Sequence, residues 1–224
     1  MSARLHLLWY HAWLSLSWSA LLLPLALVGT IGALTLVAPA AQRNGDLSIA
    51  LEGGLPVIAG LLAAPLLVAE RERGTLPWLA SRVSLFALLA LRLGVLVIHV
   101  LACCGCAVLV AGLLWHIAPP WDALPRTGGR ALAFIALALL AASWGRSLAL
   151  GYLAPATFWL GTLVFGMYLP HVEPWLTLNP FAWSAGFSPD IVTRSTIVYA
   201  LAGSLLLVVQ WPLLRRPGYL LRPT

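Results

Sequence analysis

The run LFALLALRLGVLVIHVLACCGCAVLVAGLLW at residues 85–115 decides the class of fold. It contains two ionisable side chains besides its cysteines, Arg92 and His99, and it exceeds the roughly 20 residues that a helix needs to cross a bilayer. Other apolar runs lie on both sides of it. The whole chain is 61% hydrophobic and 9% charged, whereas an ordinary soluble domain carries about 25% charge. The sequence therefore predicts an all-α membrane protein.

The length of 224 residues leaves room for roughly six or seven spans and little else, so we predict a single transmembrane domain over residues 1–224 with six transmembrane helices. Helical spacing of apolar residues at 4–16 predicts an interfacial elbow helix. The predicted transmembrane helices lie at about residues 17–38, 51–69, 85–115, 130–144, 148–169 and 195–214.

Proline, glycine and polar clusters predict the connections between these spans. They predict a loop at QRNGD (42–46), a second loop at APPWDALPRTGGR (118–130) and a turn at WGRS (144–147). The connection at 169–190, LPHVEPWLTLNPFAWSAGFSPD, contains four prolines and predicts short re-entrant segments between spans five and six. Such backbone is tolerated at membrane depth only inside protein or along a wet cavity.

The arginines predict the orientation. All thirteen basic side chains are arginines, because the chain has no lysine. With both termini in the cytoplasm, nine arginines fall in inner segments and four, Arg43, Arg126, Arg130 and Arg194, fall in outer ones. The excess of positive charge on cytoplasmic segments favours this orientation, and clusters of this kind do not indicate nucleic-acid binding. The same orientation assigns Glu52 to the outer side.

Most of the chain's acidic and basic side chains avoid the apolar runs, but four are packed together in VAERERGTLPWLASRVS at residues 68–84. In the predicted orientation this is the first cytoplasmic loop. It is long enough for a short helix at about 75–84 that exposes Trp78, and a tryptophan flanked by charges suits a docking surface. Alternatively, the charges mark only the membrane boundary, with i,i+3 pairs such as Glu70 with Arg73.

The same stretch resembles the Glu-x-x-x-Gly-Thr-Leu-x-x-Leu segment that follows the second span in permeases of type-2 ABC transporters, and the layout of nearly the whole chain is similar too. Two positions depart from the family pattern, Pro77 and Arg82. The resemblance implies a coupling helix that contacts a separate ATP-hydrolysing subunit. The residues assigned to ATPase coupling are Glu70, Arg71, Glu72, Arg73, Gly74, Thr75, Leu76, Trp78, Leu79 and Arg82.

The resemblance also implies the partners and the direction of transport. We expect two copies of an ABC ATPase, a second permease subunit in a homo- or heterodimer, a place in the cell's inner membrane, and export. ATP and Mg are expected on the ATPase, because a Walker A loop needs a lysine that this chain lacks. The LNPF stretch is similar to the family's element before the last span, which makes Asn179, Pro180 and Phe181 outer-gate candidates.

The sequence also allows two other functions. A haem-exporter-like permease of cytochrome c maturation has a similar layout, and a non-transporting intramembrane enzyme or scaffold would have no ATPase partner. His99 and Arg92 are candidates for the transport pathway, although Arg92 can also snorkel to the interface. One helical face carries His99, Cys103 and Cys106, but three ligands on one helix are too few to close a metal site, so we predict no metal. We also predict no catalytic residues.

Overall fold

The computed structural model describes residues 18–39, 42–82, 84–116, 121–168, 175–180 and 187–215. Throughout this part of the chain the regular structure is helical, with no strand. The bounds of the helices are as follows: α1 Trp18–Val37, α2 Arg43–Ile49, a π-helical turn Ala50–Gly54, α3 Leu55–Ala63, α4 Pro65–Glu72, α5 Leu76–Arg82, α6 Leu85–Trp115, α7 Ala123–Gly145, α8 Leu148–Tyr168, α9 Trp175–Leu178 and α10 Pro189–Arg215.

Five helical stretches among the described residues are long and apolar enough to cross a membrane. They are Gly45–Glu72, Leu85–Trp115, Ala123–Gly145, Leu148–Phe165 and Pro189–Gln210. The first of them joins α2, the π-helical turn, α3 and α4 into one long element. The apolar part of α1, Leu25–Val37, is shorter. This is the architecture of a multi-pass membrane protein.

Helix α7 lies at the centre of the bundle and packs against α3, α8 and α10, and less extensively against α6. Its buried face is rich in alanine, and small side chains let membrane helices approach closely. Gly203 of α10 lies close to the backbone of α7, where an added Cβ would lie 2.7 Å from the backbone nitrogen of Ala133. The middle of α7 is therefore packed directly against the backbone of α10.

Several predicted boundaries agree with the structure. Helix α6 covers the predicted third span from end to end, and the predicted turn lies between α7 and α8, with Arg146 in the left-handed region at φ 51°. The prediction of a short helix near 75–84 is also met by α5, which begins at Leu76 and ends at Arg82.

Two predicted loops are wrong. Residues 43–46 are the first turn of α2, and residues 123–130, predicted to lie in a loop that ends where span four begins, are the first two turns of α7. Pro125 is tolerated there because the first turn of a helix leaves its N–H groups without intrahelical partners. Gly129 is tolerated because α10 passes close to it, with the Thr196 carbonyl oxygen 3.0 Å from where a Cβ would be. The last span also begins earlier than predicted, since α10 starts at Pro189.

Some predictions fall on residues outside the described ranges. These are the elbow helix at 4–16, Phe181 and the C-terminal residues from 216 onward. Of the predicted re-entrant connection, the structure describes the short helix α9 and the two residues after it, together with residues 187–190.

Candidate functional site

The predicted motif Glu-x-x-x-Gly-Thr-Leu forms a corner between α4 and α5, which we call the α4–α5 corner (residues 70–75). Gly74 has φ 71°, a left-handed conformation that favours glycine at the end of a helix. Its N–H donates to the Arg71 carbonyl at 2.9 Å, and the Thr75 N–H donates to the Glu70 carbonyl at 2.9 Å. This pair of bonds is a Schellman motif, so the spacing of Glu70, Gly74 and Thr75 is set by helix capping.

The Glu70 carboxylate fastens the α4–α5 corner to α6. It accepts a hydrogen bond from the Thr75 hydroxyl and another from Arg92 Nη2 at 2.9 Å. Arg92 is buried and also donates to the Leu66 carbonyl on α4. Arg92 therefore lies in the protein interior as a link between α4 and α6, and the expected pair of Glu70 with Arg73 gives way to this longer-range ion pair.

Arg71 and Glu72 fasten the same corner to the turn between α7 and α8. Arg71 Nη1 donates to the Arg146 carbonyl at 2.7 Å, at the C-terminal end of α7. The Glu72 carboxylate accepts from the Leu148 N–H at 3.0 Å, at the first residue of α8. Terminal carbonyls and N–H groups of helices need such partners, and each side chain here has the charge that the helix dipole favours. Consecutive residues of opposite charge thus hold two helix ends.

Helix α5 presents the candidate docking surface. Leu76 is buried, whereas the Trp78 side chain is 51% exposed, and the Ser81 hydroxyl donates to the Trp78 carbonyl at 2.7 Å. Gly74 and Arg73 are also exposed. The backbones of Leu79 and Arg82 are helical, and their side chains lie outside the described part.

The other predicted pathway residue, His99, is half-buried on α6, with its Nε2 3.7 Å from the sulfur of Cys103. Cys106 on the same helix is exposed. Within the described ranges no group of three or more His, Cys, Asp or Glu side chains is placed to hold a metal ion.

Two of the outer-gate candidates, Asn179 and Pro180, lie where α9 meets α10. The Ser195 hydroxyl donates to the Asn179 carbonyl at 3.2 Å, and the Tyr199 hydroxyl donates to the Leu178 carbonyl at 2.5 Å. Asn179 and Pro180 are both buried. The end of this short helix is therefore fastened to the first turns of α10, while Phe181 lies outside the described residues.

A second group of charges, which the sequence interpretation assigned to outer loops, lies inside the bundle. We call Glu52, Arg126 and Arg130 the arginine cluster. Glu52, in the π-helical turn, is 1% exposed, and its carboxylate oxygens lie 3.7 Å from Arg126 Nη1 and 3.5 Å from Arg130 Nη1. Arg126 also pairs with Asp122. π-Helical turns and ionisable groups within membrane helices are both frequent at functional sites.

The arginine cluster lies at the N-terminal end of α7, and the α4–α5 corner contacts the C-terminal end of the same helix. The 20 residues between Arg126 and Arg146 span about 30 Å at 1.5 Å per residue. The sequence held one usable signal for the cluster, since Arg126 and Arg130 are four residues apart and lie on one face if 123–130 is helical. Because residues 118–130 were predicted as a loop, this shared face was not recognised.

No protein-family model matches the chain, and the searches of curated proteins and of solved structures gave no match either.

Proposed function

We propose that this chain is the permease subunit of an ATP-driven ABC exporter, which forms a transport path as a dimer and engages two copies of a separate ATPase through α5. The observation that carries the proposal is the α4–α5 corner. There the Glu-x-x-x-Gly-Thr-Leu spacing makes a rigid helix cap that leads directly into a short helix with an exposed Trp78. A plain membrane boundary needs charges, but it does not need this fixed corner.

Three connections give the corner the means to transmit a push on α5. The Schellman motif joins α5 to α4, the Glu70–Arg92 ion pair joins them to α6, and Arg71 and Glu72 reach the turn between α7 and α8. A displacement of α5 would therefore move several membrane helices together. Transport cycles require packed elements that move together between two discrete arrangements, and these connections would let the corner act as one.

The orientation belongs to the same proposal. The chain would lie in the cell's inner membrane with both termini in the cytoplasm. In this orientation α5 faces the cytoplasm, which holds ATP, and the arginine cluster lies toward the outer side. ATP and Mg would be bound by the ATPase, because this chain has no lysine for a Walker A loop. A second permease subunit would supply the other half of the path.

The experiment is site-specific photo-crosslinking of the full chain in its own cell membrane. A photoreactive phenylalanine derivative replaces Trp78 in one variant and Trp121 in the other. Trp121 is 49% exposed and lies at the opposite end of α7. Mass spectrometry then identifies the crosslinked protein. We expect a Walker-containing ATPase from position 78 and none from position 121.

Substitution at the same two positions gives the quantitative test. An interface tryptophan often contributes at least 2 kcal/mol, so Trp78→Ala should weaken ATPase binding roughly 30-fold and abolish stimulation of ATP hydrolysis. Trp121→Ala, with equal exposure, should change neither. Equal binding by the two variants, or crosslinks from position 78 to proteins without a Walker motif, would reject the proposal in favour of a non-transporting scaffold.

A further inference from the structure

A pocket opens between the first turns of α7 and α10, beside the arginine cluster. Its volume is about 260 Å³, and most of its lining is apolar. Asp122 and Arg126 line one side, and Thr193, Thr196 and Ile197 line the other. A concave, mostly apolar site with a few convergent polar groups is the usual form of a small-molecule site.

The charges behind this pocket are unequal. Among the described residues Glu52 is the one buried acid, and it serves both Arg126 and Arg130. Arg130 is 0% exposed, and within the described part of the chain its Nε and Nη2 have no hydrogen-bond partner. The buried set therefore carries one excess positive charge. Such a charge is costly in a membrane protein unless an anion lies close to it.

Asp122 supplies that anion from the rim of the pocket. Its carboxylate pairs with Arg126 Nη2, yet its side chain is 61% exposed and it precedes the first residue of α7. Because this side chain is exposed, an incoming anion can exchange with it on Arg126 without leaving the buried charge uncompensated. Arg126 Nε donates to the Asp122 carbonyl at 2.9 Å, so the donor that the carboxylate occupies is Nη2, and a phosphate or carboxylate oxygen of another anion could accept from Nη2 in its place.

An apolar track leads away from Arg126 along α10. Ile197, which lines the pocket, and Leu201, one helical turn further along, are both well exposed on the bundle surface. Residues four apart lie on one face of a helix, so this track is continuous with the pocket. A ligand that fits both features has an anionic head and an alkyl chain.

We propose that this pocket binds an anionic amphiphile, whose single phosphate or carboxylate head replaces Asp122 on Arg126 and whose alkyl chain lies along Ile197 and Leu201. The proposal depends on the membrane class of the protein and not on an ATPase partner. An experiment that rejects the ATPase partner therefore does not reject the amphiphile site, and the reverse is also true.

Native mass spectrometry of the full chain in an uncharged detergent measures the first binding event for each probe. The probes are phosphatidylglycerol, dodecyl phosphate, phosphatidylcholine and inorganic phosphate. We expect the first two to bind about tenfold more tightly than phosphatidylcholine, because the quaternary ammonium of phosphatidylcholine cancels the charge of its phosphate, and inorganic phosphate to bind weakly, because it lacks the chain. Tighter binding of phosphatidylglycerol than of dodecyl phosphate would indicate a bilayer lipid as the ligand, and the reverse order would indicate a soluble amphiphile.

Four variants test the site itself. Arg126→Gln should reduce binding of both anionic probes to the phosphatidylcholine level, and Asp122→Asn should strengthen it by removing the competitor. Arg194→Gln, which removes an exposed arginine of α10 that does not line the pocket, is the matched control and should have no effect. Thr193→Phe fills the pocket without changing any charge, so it should also abolish the preference for the anionic probes over phosphatidylcholine. This variant tests the site even if Arg126→Gln does not fold.

The proposal is overturned if the wild-type chain shows no preference for the anionic probes, or if Arg126→Gln and Arg194→Gln weaken binding equally, which indicates general charge attraction. Inorganic phosphate binding as tightly as dodecyl phosphate would overturn the alkyl track. Thr193→Phe with an unchanged preference would move the site elsewhere and overturn the pocket as well.

Discussion

The two ends of α7 use charge in different ways. At its C-terminal end, the α4–α5 corner draws its charges from consecutive residues, and Arg71 and Glu72 satisfy backbone groups at helix ends. At its N-terminal end, the arginine cluster joins Glu52 to Arg126 and Arg130 from a distant segment, and all three are buried. Arg71 and Glu72 stabilise helix ends, whereas the cluster holds side-chain ions inside the bundle. The two groups should therefore differ in how much stability each charge controls.

The largest effect is expected from Glu52→Gln, which removes the carboxylate from between two buried guanidinium groups. Breaking a buried ion pair costs about 3–5 kcal/mol, because the remaining charge stays desolvated. Glu72→Gln, on the same long helix, is the matched control. It should cost about 1 kcal/mol or less, because the amide oxygen still accepts from the Leu148 N–H. Titration of the folded chain in mixed micelles with sodium dodecyl sulfate measures both free energies of unfolding, and equal losses would remove the distinction between the two ends.

A smaller effect is expected within the α4–α5 corner, for the link between Glu70 and Arg92. A double-mutant cycle with Glu70→Gln and Arg92→Gln should give a coupling energy of roughly 0.5–3 kcal/mol, as for residues in direct contact. The control cycle combines Glu70→Gln with Arg194→Gln, whose arginine is exposed on α10, and should be additive. Additivity in the first cycle as well would show that α4 and α6 are not joined through this pair.

The smallest effect is expected from Gly74→Ala, which places a Cβ on a residue with φ 71°. A non-glycine residue in this region costs about 1–2 kcal/mol. Gly94→Ala in α6 is the control, since an added Cβ there meets nothing within 4 Å and its φ is not positive. That substitution should be neutral or stabilising by up to about 1 kcal/mol. A neutral Gly74→Ala would mean that the corner does not depend on its left-handed cap.

Much of the fold followed from composition and apolar periodicity. The extent of α6 and the turn between α7 and α8 were predicted correctly, because long apolar runs and polar turns are local signals. The first turns of α2, α7 and α10 were missed. Proline, glycine and polar residues indicate loops, but the first turn of a helix tolerates all of them, since its N–H groups lack intrahelical partners.

In the candidate site, too, local features were predicted from the sequence and long-range contacts were not. The short helix that follows the second span was predicted, because its charges, Gly74 and Thr75 are consecutive residues, but the Schellman motif that ends α4 at Gly74 was not. The link from Glu70 to Arg92 was not predicted, and Arg92 was considered only as a pathway or interface residue. The outer arginines were assigned to loops because nothing near them in the sequence indicates Glu52 as a partner.

By itself, then, the sequence determined that this is an all-helical, multi-pass membrane protein and that residues 70–75 end one helix and start another. Hydrophobicity, helix length and capping all depend on neighbouring residues, so they can be inferred from a single chain. Only the tertiary structure decided that α7 lies at the centre and that Glu52 meets Arg126 and Arg130. The burial of a charge depends on which distant helices pack around it, and that is a property of the assembled bundle.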